Sequence, residues 1–155
     1  MTEDFQAGYR ALNLKKTYPV PAKKVFAAWT NPDVLACWFG PSTHSVVEVS
    51  IDAQVGGKYR IVLEDEDGNV IDHFGEYVLV SPYNHLVFTW MLEDQRCGGC
   101  EGQEARTLVS IDIEDFGDSS LLRLRHEHLP NEVAYQGHQT GWEATLRALE
   151  LYLSA

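Results

Sequence analysis

Two histidines two residues apart, His126 and His128, stand at the end of a strand-like run, Ser120 to His128. Period-two alternation puts them on the same side as Leu122 and Leu124, with Leu121, Arg123, Arg125 and Glu127 opposite. If the leucines pack under a helix, the imidazoles reach the wider mouth of a cavity. There they could orient a ligand or carry a proton. In the plainer reading they hydrogen-bond at the strand end and do nothing else. His138 and Trp142 are four apart in the helical segment that follows, hence one turn apart on one face. They are either cavity wall or packed core. Trp29, Trp38 and Phe39 lie in two short helical segments that could form a lid, and Trp38 is the candidate among them for touching a ligand.

Cys97-Gly-Gly-Cys100 has the spacing of half a zinc site or of a redox pair. A structural zinc wants four ligands, and no second Cys-x-x-Cys is present in the sequence. The motif therefore reads first as a glycine-rich loop, and no metal site is expected. The sequence contains no Gly-x-Ser-x-Gly elbow, phosphate loop or dinucleotide fingerprint. No pair of carboxylates is singled out by its surroundings, and Asp52 before Gly56-Gly57 reads as a turn former. No catalytic residue and no cofactor is assigned, and binding is preferred to catalysis.

The elements that must position these groups follow from punctuation and period. A first strand is expected over Arg10–Tyr18, ended by Pro19 and Pro21. A short helix carries Val25, Phe26 and Trp29 on one side. Asn31-Pro32 caps and starts a second one with Leu35, Trp38 and Phe39, which stops at Gly40-Pro41. Then the period becomes two. Val47, Val49 and Ile51 alternate with Glu48, Ser50 and Asp52, Tyr59, Ile61 and Leu63 alternate with Lys58, Arg60 and Val62, and Leu86, Phe88 and Trp90 share one face. Asp65–Asn69 and Ser81–Asn84 are turns. Thr107, Val109, Ile111 and Ile113 mark the next strand, and the run to His128 is the last.

A long helix closes the chain with Tyr135, His138, Trp142, Leu146, Leu149 and Leu153 on one face. Beside them runs a stripe of small residues: Ala134, Gly137, Gly141, Thr145 and Ala148. A helical glycine costs about 0.8–1.0 kcal/mol relative to alanine, so close approach of a sheet or a ligand is expected there. Consecutive strands joined by tight turns are antiparallel, and their apolar face needs a cover that only this helix can supply. The expected fold is α+β: a curved antiparallel sheet of about seven strands wrapped on a long C-terminal helix, with two short helices after strand one. One domain over residues 1–155 is expected, with residues 1–8 a loose leader.

The bulk numbers narrow the classes of function. Twelve basic against 23 acidic residues give a net charge of −11, which argues against nucleic acid and anionic membrane surfaces. An apolar fraction of 45% is that of a globular chain. No apolar stretch is long enough for a membrane span, and the acidic N-terminus does not resemble a signal peptide. A cytoplasmic location follows as the default, and the oligomeric state is open between monomer and homodimer.

Order and motifs together resemble the START-like, helix-grip (SRPBCC) superfamily. Within it the chain is similar to the group around the activator of the 90-kDa heat-shock protein's ATPase. The stretches that carry the likeness are Tyr18–Phe26 with Trp29–Asp33, Trp38–Pro41, Val55–Tyr59, Gly75–Tyr77 with Pro82, Leu86–Trp90, and Gly141-Trp142 with Leu146 and Leu149. The resemblance implies a cavity between sheet and C-terminal helix, and small apolar, lipid-like or polyketide-like ligands. It equally admits a cyclase or hydrolase that uses a cavity histidine, or a module that regulates a chaperone. The preferred expectation is binding of a small apolar or aromatic ligand. Trp38, Tyr59, Phe88 and Trp90 would be walls, and His126, His138 and Trp142 anchors and floor.

Overall fold

In the computed structural model, which describes residues 10–92 and 105–154, ten elements follow one another. They are β1 (Arg10–Tyr18), α1 (Ala22–Thr30), α2 (Pro32–Trp38), β2 (His44–Ile51), β3 (Lys58–Asp65), β4 (Val70–Ser81), β5 (His85–Leu92), β6 (Ala105–Asp115), β7 (Ser120–Leu129) and α3 (Glu132–Ser154). The strands form one antiparallel sheet in the order β1-β7-β6-β5-β4-β3-β2. Only the pairing of β1 with β7 is long-range in sequence; every other pair is a hairpin neighbour. The α+β helix-grip architecture read from the sequence is the one observed. The 1–8 leader and the Cys97–Cys100 motif lie outside the described residues. No helix of the described residues is long and apolar enough to cross a membrane.

Local chemistry sets the element ends. The Asn31 side chain accepts a hydrogen bond from the Asp33 N–H at 2.9 Å, and Pro32 supplies the first helical residue of α2. The Asn131 side-chain oxygen accepts from the Ala134 N–H at 2.9 Å, capping α3 in the same way. At the β3–β4 tip, Asp65 accepts the N–H groups of Asp67 and Asn69, with Gly68 at φ +84°.

The sheet bends at β4, where pairing passes from β3 to β5 and the register shifts between Tyr77 and Leu79. Gly75 makes this bend possible. A Cβ there would come within 2.1 Å of the Thr89 carbonyl oxygen and 2.8 Å of the Tyr59 ring. Into that space Tyr59 reaches to donate its hydroxyl to the Thr89 carbonyl at 2.6 Å, while the Thr89 hydroxyl accepts from the Glu76 N–H. A tyrosine laid across a strand glycine thus replaces ladder bonds that the bend removes.

Helix α3 lies against β1, β7 and α2. Trp142, Leu146 and Leu149 are buried on its inner face, with Tyr135, His138 and Leu153 half-buried along the same stripe. Tyr18 fastens it: the buried hydroxyl donates to the Leu146 carbonyl at 3.0 Å, and burial pushes the phenol's pKa upward.

Two expectations about alternation fail locally. Alternation groups Val47 with Val49 and Ile51, yet it is 53% exposed, because a register shift between Val46 and Glu48 inserts an extra residue and turns Val46 inward instead. His128 was placed with His126, yet its backbone takes φ +69°, which turns it to solvent and buries Leu129.

Candidate functional site

Between the N-terminal half of α3, the β3–β4 hairpin and the loop after α2 lies a cavity of about 400 Å³. Ligand pockets span roughly 300–1,000 Å³. The helix side is made of Val133, Gly137, His138, Gly141, Trp142 and Thr145. Opposite stand Leu63, Ile71, His73 and Trp90 of the sheet, with Phe39, Gly40, Pro41 and His44 at one end. Among the described residues, no Lys, Arg, Asp or Glu lines it. Its mouth is marked by the exposed Val133 and Gly137.

The glycine stripe explains the space. Among the described residues, a Cβ added at Gly137 or Gly141 would meet no atom within 4 Å beyond the helix's own backbone. The sheet does not press on these residues; they face the cavity. Of the two reasons offered by the sequence for helical glycine, an approaching sheet is therefore excluded. Thr145 turns its hydroxyl back to the Gly141 carbonyl at 2.8 Å, so the lumen meets its methyl side.

Two tryptophan–histidine pairs build the floor. The Trp142 indole N–H donates to His126 Nδ1 at 3.0 Å. Indole nitrogen only donates, so Nδ1 accepts and the proton sits on Nε2. Nε2–H then donates to the Thr107 hydroxyl at 2.7 Å, which donates to the Trp90 carbonyl at 2.6 Å. The chain of donors runs one way, and a second proton on His126 would face the indole N–H. His126 is 0% exposed, and burial, aided by the nearby His138, drives its pKa well below the ordinary imidazole value. It is a neutral structural histidine. In the second pair, His138 Nδ1 lies 2.8 Å from the Ala134 carbonyl and must donate to it. Nε2 is then the acceptor of the Trp90 indole N–H at 3.3 Å. The two imidazoles meet edge to face at 5.0 Å, and His73 stacks on Trp90 at 4.6 Å.

Of the seven residues expected from sequence at the ligand, Trp90, His138 and Trp142 line the cavity. Tyr59 and Phe88 lie deeper, around a second void of only about 10 Å³. Trp38 is core: its indole donates to the Ala28 carbonyl at 3.1 Å and packs on Trp29 and Phe39. His126 sits behind Trp142 rather than at a mouth. Sequence reasoning missed Ile71 and His73. Their signal was period-two spacing on the strand facing Leu63 and Ile61, with which they pair directly. His44 and Leu63 were also missed as lining residues; the first needs the tertiary fold, the second lies on an alternating face already recognised. Cys37 is exposed, with its thiol against the Asp33 carbonyl, and takes no part.

Comparison with known proteins follows the same lines. A sequence model of the family described as Activator of Hsp90 ATPase homolog 1-like protein matches residues 19–154. A search of curated proteins finds no match. Among solved structures, an AHSA1 protein from Silicibacter pomeroyi superposes with a TM-score of 0.80 at 24% identity, over 94% of this chain and 98% of that one. A Chromobacterium violaceum protein gives 0.81 at 20% identity, over 94% and 97%. CalU16 from Micromonospora echinospora gives 0.70 at 23% identity, over 94% and 77%. At these identities the solved structures speak to the fold.

Proposed function

This chain belongs to the Activator of Hsp90 ATPase homolog 1-like family, and from that premise we propose that it is a binding module for a small apolar or aromatic molecule. The guest occupies the cavity between α3 and the concave face of β3–β5. One observation carries the reading: a helix that buries its neighbours well keeps two glycines where added methyl groups would touch nothing, and about 400 Å³ of space lies beside them. Glycine there lowers helix stability without serving any packing contact. That cost is intelligible if the space is used.

The walls support an apolar guest. Two indoles, a phenyl ring, Leu63 and Ile71 offer contact area, worth roughly 25 cal/mol per Å² of apolar surface removed from water. Among the described lining residues a charged guest would find no countercharge, and burying it unpaired is costly. The two histidines paired with tryptophan support binding over acid–base catalysis. His126 is locked neutral between Trp142 and Thr107, and both ring nitrogens of His138 are committed to Ala134 and Trp90.

The test is calorimetric titration of the protein and its Gly141→Leu variant with isopropenylnaphthalene, an uncharged bicyclic probe. Binding to the parent and its loss in a variant that still unfolds cooperatively is the expected result. Equal binding by both, or none by the parent, overturns the reading.

A further inference from the structure

Among the described residues, the Trp29 indole nitrogen is the one buried side-chain polar atom with no hydrogen-bond partner. Trp29 is 3% exposed. It lines the inner void together with Leu35, Tyr59, Tyr77 and Phe88. At about 10 Å³ that void is at the limit of what one water needs, and its walls offer few polar partners. A buried donor without a partner in an otherwise satisfied interior calls for a specific explanation.

Phe39 and Trp90 line both the inner void and the outer cavity. They are the partition between them, and they differ in how they are held. Trp90 is fixed by its hydrogen bond to His138 and by the stacked ring of His73. The Phe39 side chain is held by ring contacts alone, with Trp29, Trp38, His73 and Trp142. It caps α2 in an extended conformation and precedes Gly40, which takes φ +93°. A rotation of the Phe39 ring therefore breaks no hydrogen bond of its side chain.

We propose that the guest is an uncharged, elongated aromatic or alicyclic molecule with a hydrogen-bond acceptor, a carbonyl or ether oxygen, at its leading end. Entering the outer cavity, it displaces the Phe39 ring, and its acceptor receives the Trp29 indole N–H. This rests on the binding function proposed above and adds to it the guest's chemical class and orientation. Three features converge on that class. Among the described residues, the lining of both spaces carries no Lys, Arg, Asp or Glu, which disfavours a carboxylate or an ammonium group. Trp29 offers a donor, so the complementary end must accept. Two of the polar groups nearer the mouth, on His138 and Thr145, are already bonded to Ala134, Trp90 and Gly141, whereas the deep Trp29 donor has no partner among the described residues.

The sequence holds four tryptophans, whose indole N–H signals separate in proton–nitrogen correlation spectra. The experiment titrates the protein with methyl naphthyl ketone and, separately, with isopropenylnaphthalene, its carbon isostere. The expected result is that both probes shift the Trp90 and Trp142 signals, while only the ketone moves the Trp29 signal downfield. The ketone binds about tenfold more tightly than its isostere, and a Trp29→Phe variant loses that preference while still binding both. Equal affinities in the parent, or a Trp29 signal that stays put while Trp90 and Trp142 respond, overturns the deep acceptor site and leaves the cavity reading intact. If neither probe perturbs any indole signal, both readings fall. The signals of the unmutated protein decide the matter even if Trp29→Phe folds poorly.

Discussion

Replacing Gly137 and Gly141 by alanine should make this protein more stable and a worse container. The magnitude follows from geometry. An added Cβ at either position meets no atom within 4 Å, so no steric term opposes the change. What remains is the helix propensity difference, about 0.8–1.0 kcal/mol per site, so the double variant gains about 1.6–2.0 kcal/mol. For a chain of this size that corresponds to a rise in Tm of about 3–8 °C. The same methyl groups project into the cavity, so the affinity for isopropenylnaphthalene should fall as stability rises. Urea unfolding of parent, single and double variants gives the first quantity, with an unchanged m-value as the check on two-state behaviour. Titration gives the second. A loss of stability would refute the reasoning, for it would mean that something packs against these glycines. A gain in stability with unchanged binding would leave the glycines without the role assigned to them. Functional sites commonly retain residues that lower stability, and this pair isolates such a cost on one helix face.

Gly75→Ala should behave oppositely, because its Cβ would come within 2.1 Å of the Thr89 carbonyl oxygen; a loss of about 3 kcal/mol or more is expected by chemical denaturation, and near-neutrality would contradict the tyrosine-over-glycine account of the bend. Tyr18→Phe removes the hydroxyl that holds the Leu146 carbonyl and should lower stability by about 0.5–1.5 kcal/mol in urea melts. His126 gives a pH dependence of definite sign. Its folded pKa lies well below the ordinary imidazole value, so below about pH 6.5 the unfolded chain takes up a proton that the folded chain refuses. Its contribution to stability is complete above that pH and drains away at about 1.4 kcal/mol per pH unit as the pH falls towards the folded pKa. Urea melts at about pH 6 and pH 5 should therefore show a steeper acid loss in the parent than in His126→Phe, and equal slopes would count against the neutral histidine.

Most of the fold was legible because it rests on local signals. Asn31-Pro32 punctuates a helix through a side-chain cap and proline, and the observed α2 begins where those residues put it. Alternation revealed inward faces wherever a strand is regular, as at Leu86, Phe88 and Trp90. It failed at Val47 and His128, where one extra residue or one left-handed backbone step inverts every face beyond it. Neither event has a marker such as glycine in its own position.

The site was less legible for a different reason. Alternation says that a side chain points inward, but not whether the interior there is full. Tyr59, Phe88 and Trp90 share the same inward character and all line a void of about 10 Å³, yet of the three Trp90 alone also borders the open cavity. The difference lies in what arrives from elsewhere: α1 and α2 fill one end with Trp29, Leu35 and Trp38, while α3 leaves room at the other by placing Gly137 and Gly141 beside His138 and Trp142. The helical glycines were the sequence's best pointer to the site, since their cost in propensity needs no tertiary knowledge to recognise.

The most direct test of the account is to see where a neutral guest rests. Intermolecular nuclear Overhauser effects between isopropenylnaphthalene and the protein should run to the Gly141 α-protons and to the rings of Trp142 and Trp90. Contacts confined to exposed apolar residues such as Val78 and Leu79, with the helix glycines silent, would contradict it.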